Sequence, residues 1–352
     1  MRILMLGPDR SVHGGISGVV NNYYEAGLDK KIELYYIGTM KEGSKVKKLI
    51  VAVGAYIRFL CKLSWCDIVH VNFSSDSSFI RKSFFIRRAH KVGKKIVLHQ
   101  HGGDFTTFYN NQLNEKGKQN VKNVLGMGDI MLVLAPMWKE FFETIVPNEE
   151  IVVFPDSIMI PEERKKEYGQ HKILFLGRLC REKGIGELIS ILPNLRERFP
   201  NVKLILGGIW EDKELKAEAD KFPDSIIQVG WVTGNQKSKL LGDCDIFVLP
   251  SYFEGQSVSL LEAMAHSCAC VASDTGGIPL MIQDGYNGIL VCPKDKDSLT
   301  EGLLKLLESD MICSQLGEMA RKTAVDEYSI NNNIQKLIDI YNKLISNNYG
   351  AS

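Results

Sequence analysis

The stretch DIFVLPSYFEGQSVSLLEAMAHSCACVAS, residues 245–273, begins with a short apolar run and passes through a loop into a helical run, VSLLEAMAHS. It ends in a second apolar run, CACVAS. Two short strands joined through a helix imply a parallel pair, since a tight hairpin cannot supply that connection. Two glutamates stand inside this unit, Glu254 in the loop and Glu262 in the second turn of the helix. A helix that only needs to pack has no use for a carboxylate at either place.

The same alternation extends in both directions. RILMLG, IELYYIG, DIVHVNF, KIVLHQHG and DIMLVLA are β-rich runs in the first half, separated by helical stretches such as ISGVVNNYYEAGL and FFIRRAHKVG. KILFLGR, VKLILGG, SIIQVGW, DIFVLPS, CACVAS and GILVCP repeat the pattern in the second. The predicted fold class is therefore α/β, with two Rossmann-like domains, each built on a mostly parallel sheet. Ligands are expected at the carboxyl ends of the strands, in a central cleft between the domains. A length of 352 residues fits two domains. The boundary is expected within FPDSIMIPEERKKEYGQHK, residues 154–172, where two prolines, a charged run and Gly169 precede a fresh strand. The domains are thus read as 1–160 and 161–329. The tail, from about 330 to 347, shows apolar spacing at Ile334, Leu337, Ile338, Tyr341, Leu344 and Ile345, one face of a helix.

Composition excludes several classes. No run of about 18 uncharged apolar residues is present, so no spanning helix is expected. MRILMLGP carries one Arg and no small-residue cleavage site, which makes it a poor signal peptide. Eight scattered cysteines without a C-x-x-C pair are read as reduced thiols of a cytoplasmic protein. The net charge of +1 conceals an asymmetry: residues 41–95 hold 13 Lys and Arg against 3 Asp and Glu. A local patch of that kind needs a partner.

In FLGRLCREKGIGELISIL, residues 175–192, Gly177 is read as ending a strand, with Arg178 and Lys183 in the loop before a helix. Two cations beside free backbone N–H groups suit a diphosphate, although strand–loop–helix turns often carry a lysine for no such reason. GPDRSVHGGISGVV, residues 7–20, has glycines at 7, 14, 15 and 18 but no G-x-G-x-x-G, which argues against NAD or FAD. Those glycines would admit a ligand close to the backbone or merely loosen a turn. In the opening stretch, the N–H groups of Gln256, Ser257 and Val258 point at the space between Glu254 and Glu262. The carboxylates could then accept from hydroxyls while the helix terminus holds phosphates. A favourable helix dipole is the plainer account of Glu262. Two D-x-D patterns, Asp243–Asp245 and Asp295–Asp297, are read as structural, with Asp297 the natural N-cap of SLTEGLLKLL. His99 and His101 lack a third ligand nearby in the sequence, so no metal site is expected.

Taken together, the Gly14–Gly15 loop, His101–Gly102, GRLCREKG at 177–184, GWV at 230–232, PSYFEGQSVSLLEAMA at 250–265, VASDTGGIP at 271–279 and DGYNGILV at 284–291 resemble glycosyltransferases of the GT-B fold, in retaining family 4. The motifs run in order through nearly the whole chain, the second half matching more specifically. The resemblance implies that Arg178 and Lys183 bind the donor diphosphate, following Gly177, and that Glu262 holds the ribose hydroxyls. Glu254 would contact the donor sugar, with the first-turn groups of Gln256, Ser257 and Val258 beside it. Gly15 would approach the donor phosphates, His101 the sugar near the reacting centre, and Val232 the base. The final helix would cross back onto the first domain. Three departures stand out: Leu280 where many members have Glu, Gly255-Gln256-Ser257 in place of Gly-Phe-Gly, and FPDSI at 154–158 in place of a Pro-Asn-Gly turn.

The basic patch falls in two segments, KVKKLIVAVGAYIRFLCKL at 45–63 and FIRKSFFIRRAHKVGKK at 79–95. Cations interleaved with apolar residues fit helices on an anionic membrane surface, or core helices with a solvated basic face. No nucleic-acid motif is present, so nucleic acid is not expected as a partner. The reading is a retaining hexosyltransferase that moves sugar from a nucleotide-diphosphate sugar, UDP-sugar favoured, to a glycan acceptor. That acceptor is expected to be lipid-linked, at the inner face of the plasma membrane, in cell-surface polysaccharide synthesis. No cofactor or metal is expected. The alternatives are a nucleotide-sugar epimerase of the same architecture and a non-catalytic sugar-nucleotide-binding subunit.

Overall fold

The structure, a computed structural model, describes residues 1–102, 105–146 and 150–346. The chain divides into two units, residues 1–159 with the segment from Ile330 onward, and Ile160–Ser329.

The first unit runs β1 (Arg2–Gly7), α1 (Gly15–Glu25), α2 (Leu28–Lys31), β2 (Glu33–Gly38), α3 (Lys45–Lys62), β3 (Ile68–Phe73), α4 (Asp76–Lys91) and β4 (Lys95–Gln100). It continues through α5 (Phe105–Thr107), α6 (Glu115–Leu125), β5 (Ile130–Val133), α7 (Pro136–Glu143) and β6 (Ile151–Val153). The six strands are parallel in the order β2-β1-β3-β4-β5-β6. Helices on a parallel sheet bury both faces, so strands read as continuous apolar runs. Every residue of β3 is buried, including His70 and Asn72.

The second unit runs β7 (Lys172–Leu176), α8 (Ile185–Arg198), β8 (Lys203–Gly207), α9 (Lys213–Ala219), β9 (Ile226–Gly230), α10 (Gly234–Asp243) and β10 (Ile246–Leu249). It closes with α11 (Val258–Ala265), β11 (Ala269–Ser273), β12 (Ile289–Val291), α12 (Lys296–Leu307) and α13 (Asp310–Tyr328). Its order is β12-β11-β10-β7-β8-β9, again all parallel. From β7 the chain builds outward through β8 and β9, then returns to lay β10 on the other side of β7. The loops after β7 and β10 therefore part in opposite directions and leave a crevice at the carboxyl ends of these strands.

The last helix, α14 (Ile330–Ser346), belongs to the first unit. Ile330 donates its N–H to the Ile158 carbonyl at 2.9 Å, and Asn333 Nδ2 donates to the Pro155 carbonyl at 2.8 Å. Ile334, Leu337 and Tyr341 are buried beneath it.

Three details differ from the sequence reading. β6 was not anticipated: three residues are too few for a periodic signal, and it exists by pairing with β5 in the register Met131↔Ile151. β7 ends at Leu176, one residue before Gly177. The N-cap of α12 is Asp295, whose side chain accepts from the N–H groups of Asp297 and Ser298; Asp297 is already inside the first turn.

Candidate active site

The crevice of the second unit gathers the motifs first read in the sequence. β7 delivers Gly177 and Arg178, then Lys183 just before α8; β10 delivers Ser251 and Glu254, then Ser257 as the N-cap of α11. Lys183 Nζ lies 2.5 Å from Glu254 Oε1, with both side chains largely buried. Ser251, fully buried, donates its hydroxyl to the same carboxylate oxygen at 2.8 Å. A charge-assisted pair of this kind fixes both side chains in one geometry.

The loops are held by close backbone apposition. Gly184 has φ 70° and faces the Pro250 carbonyl so closely that a Cβ would overlap it. Gly277 donates its N–H to the Glu254 carbonyl at 2.9 Å, and a Cβ there would overlap the Gly255 carbonyl. The glycines of DTGGIP are thus required by the loop that carries Glu254. Tyr252 donates its hydroxyl to Glu187 Oε1 at 2.8 Å. Burial first, and then that bond, push its phenol up to about 12.

At the head of α11, Ser257 Oγ accepts from the Leu260 N–H at 3.3 Å. The N–H groups of Val258 and Ser259 belong to the first turn, where no intrahelical acceptor exists. One turn further, Glu262 Oε1 meets Lys237 Nζ of α10 at 2.5 Å. Lys237 was missed by the sequence reading. NQKSK is an ordinary helical surface pattern, and nothing in it signals a carboxylate 25 residues later. Val232 is buried in the turn between β9 and α10. Arg178 is not drawn to the Lys183–Glu254 pair. It is half exposed and bonded to Glu211 at 2.9 Å.

In the first unit, α1 begins at Gly15, and a Cβ added at Gly14, Gly15 or Gly18 would meet nothing within 4 Å. Packing inside the protein therefore does not demand glycine at these positions. His101 follows β4 and is buried. Its Nδ1 lies 3.0 Å from Asp156 Oδ1 and its Nε2 lies 2.8 Å from Asn72 Oδ1. Asn72 gives its Nδ2 to the Leu6 carbonyl, which turns its oxygen toward the imidazole. Each ring nitrogen thus has a side-chain oxygen within hydrogen-bond distance.

Behind His101, the His99 ring stacks at 3.8 Å between centroids. His99 Nδ1 lies 3.3 Å from His70 Nε2, and His70 Nδ1 lies 2.6 Å from the Tyr341 hydroxyl of α14. Burial first, with the positive field of His101 adding to it, lowers His70 to about 3 and holds His99 well below the ordinary imidazole value. The sequence reading found no third ligand near His99 and His101. The fold corrects this: Asp156, far downstream, brings a carboxylate oxygen to them, and one donor atom from each of the three lies within 4.8 Å of the others. Strand order alone creates that proximity. The position is the Asp of FPDSI, noted in the sequence as a departure, and its carboxylate is engaged by His101.

Residues 157–323 match the model of the family "Glycosyl transferases group 1". Among curated proteins, an uncharacterized glycosyltransferase of Methanocaldococcus jannaschii is 31% identical over 203 residues, covering 57% of this chain and 50% of that protein. The N,N'-diacetylbacillosaminyl-diphospho-undecaprenol alpha-1,3-N-acetylgalactosaminyltransferase of Campylobacter jejuni is 30% identical over 209 residues, covering 59% and 52%. The chain thus spans about half the length of these curated relatives. Sucrose-phosphate synthase from Thermosynechococcus elongatus superposes with a TM-score of 0.80 over 98% of this chain and 99% of its own, at 16% identity. That likeness shows the fold, the GT-B architecture of two parallel six-stranded sheets with helices.

Proposed function

We propose that the protein is a retaining glycosyltransferase of family 4. It would transfer a hexosyl group from a nucleoside-diphosphate sugar, UDP-sugar foremost, to a glycan acceptor. The observation that carries the reading is the Lys183–Glu254 pair at the β7/β10 crevice, beside the first turn of α11. A cation, a carboxylate and helix N–H groups converging at a strand-order reversal suit a phosphorylated, hydroxyl-rich ligand.

In the proposed reaction the bond between the anomeric carbon and the diphosphate oxygen breaks, and a bond to the acceptor oxygen forms on the same face. The acceptor proton leaves with the departing phosphate oxygen or to water. Negative charge develops on the diphosphate, where Lys183, Arg178 and the α11 N–H groups of Val258 and Ser259 stabilise it, with no metal or other cofactor assigned. Glu254 holds the sugar, with Gln256 and Ser257 beside it. Glu262 takes the ribose hydroxyls, and the turn at Val232 takes the base. Two carboxylates that hold different parts of one ligand are not a glycosidase pair. The acceptor is read as lipid-linked and the protein as peripheral on the cytoplasmic membrane face. The 13-to-3 excess of basic residues over 41–95 supports this, as does a curated relative named for a diphospho-undecaprenol substrate.

The test is release of nucleoside diphosphate and product formation across UDP-, GDP- and dTDP-sugars, after a thermal-shift screen for the donor. Transfer lost in Glu254→Ala and Lys183→Ala is the expected result. Full activity in both variants overturns the site. Conversion of the donor to an epimer without acceptor, or binding without turnover on any lipid acceptor, overturns the transferase reading itself.

A further inference from the structure

The sequence leaves two directions open for the apolar residues of α3: into the core or outward. The structure turns them outward. Val46, Leu49, Ile50, Val53, Ile57 and Leu60 are between 40% and 67% exposed. At about 100° per residue, their spacing keeps them within one stripe roughly 100° wide. The buried residues of α3 are Ala55 and Phe59, on the opposite side. Phe59 packs edge-on to Phe85 of α4 at 5.1 Å, and Tyr56 packs on the same ring at 5.2 Å. These ring contacts hold the helix so that the stripe cannot roll inward. On α4, Ile80 and Phe84 are likewise exposed, at 55% and 62%. A soluble surface seldom carries so much contiguous apolar area without an occupant.

Charge identifies the occupant. α3 has no acidic residue, and exposed Lys45, Lys47 and Arg58 flank the stripe. α4 has Asp76 at its first position and no other acid, and it carries Arg87, Arg88 and Lys91 on the turns following Phe84. The three acids of 41–95 are all engaged elsewhere: Glu42 with His13, Asp67 with Arg2, and Asp76 with Ser75. An apolar stripe rimmed by cations and free of acids matches an anionic bilayer, whose headgroups take the lysines and whose acyl boundary takes the leucine and isoleucines. We infer that α3 lies flat on an anionic lipid surface through the Val46–Leu60 stripe, with Ile80 and Phe84 of α4 as a second contact. This deepens the membrane reading above and rests on it, but not on the transfer chemistry. No helix among the described residues is long and apolar enough to cross a membrane, so this contact is with one leaflet.

The test is sedimentation of the full chain with phosphatidylcholine vesicles, with and without phosphatidylglycerol, at low and high salt. Binding is expected only to the phosphatidylglycerol vesicles, weakened by salt, and reduced roughly tenfold or more in Ile50→Glu/Ile57→Glu. Both positions are solvent-facing, so the variant should keep the wild-type circular dichroism and melting temperature. Transfer to a water-soluble acceptor should also be unchanged. Failure of that transfer in the wild type bears on the function proposed above and leaves the vesicle result intact. Three results overturn the inference: no binding to anionic vesicles, binding that ignores Ile50→Glu/Ile57→Glu, or a dimer in sedimentation velocity that those substitutions dissolve. The last would make a second copy the occupant.

Discussion

The two units treat polar side chains in opposite ways. In the second, lysines meet carboxylates at positions that keep some exposure to water: Lys183 with Glu254, Lys237 with Glu262. In the first, three imidazoles are buried in a continuous chain from Tyr341 to Asp156, and two of them are held uncharged. Partly exposed ion pairs can be re-partnered by a ligand, whereas a fully buried network has no water to fall back on and resists change. The first arrangement suits binding and release, the second suits fixed orientation. Lys183 and Glu254 follow parallel strands, as His101 does, so the difference between them arises from the degree of burial and not from the fold.

The largest break in this comparison should come at the crevice. Lys183→Ala and Glu254→Ala should each lower nucleoside-diphosphate release by about 100-fold or more, as loss of a charge-stabilising group does. Both side chains are largely buried, so each single variant strands its partner's charge and should also lower the melting temperature, by more than Lys183→Met/Glu254→Gln does. A double variant no more stable than the single ones would show that a stranded charge does not set that cost. Next comes Gly277→Ala, which forces the DTGGIP loop away from the Gly255 carbonyl. Overpacking of that kind should cost about 1–3 kcal/mol in denaturant unfolding and displace Glu254, so donor affinity should fall with stability.

Acid should separate the units further. In the folded chain His70 gains a proton only near pH 3, while in the unfolded chain it does so near the ordinary 6.5. Between those values the unfolded state binds more protons, so stability is fully present above about 6.5 and is lost as pH falls toward 3. His99 acts in the same direction. The loss should be about 1 kcal/mol per pH unit for His70. Urea unfolding at pH 7, 6 and 5 should show it, with a shallower slope in His70→Gln than in wild type. Equal slopes would mean that His70 is charged or solvated. The smallest effect should be on the stability of Arg178→Ala, whose half-exposed pair with Glu211 should contribute less than about 1 kcal/mol. If Arg178 serves the diphosphate, its loss should appear in donor affinity and not in melting.

Much of the fold is written locally. The alternation of apolar strand and amphipathic helix marks all strands but β6, because parallel strands buried on both faces read as unbroken apolar runs. The Gly184 and Gly276–Gly277 motifs stand out because close backbone approach or a positive φ leaves room for no other residue. Lys183 and Glu254 were legible because each lies just beyond a strand end, where an α/β sheet exposes its loops. The Lys237–Glu262 pair and the place of Asp156 beside His101 were not. They join side chains whose proximity depends on which strands lie side by side.

The sequence by itself determined the α/β class, the loops that carry the charged crevice and an excess of cations over 41–95, since each is a property of neighbours along the chain. Only the tertiary structure decided that α14 returns to the first unit to set Tyr341 against His70, and that the apolar stripe of α3 faces outward. Periodicity gives the angle between residues on a helix but not the direction in which that angle points. That direction is set by the rings of Tyr56, Phe59 and Phe85, packed between the two helices that flank β3 in the chain.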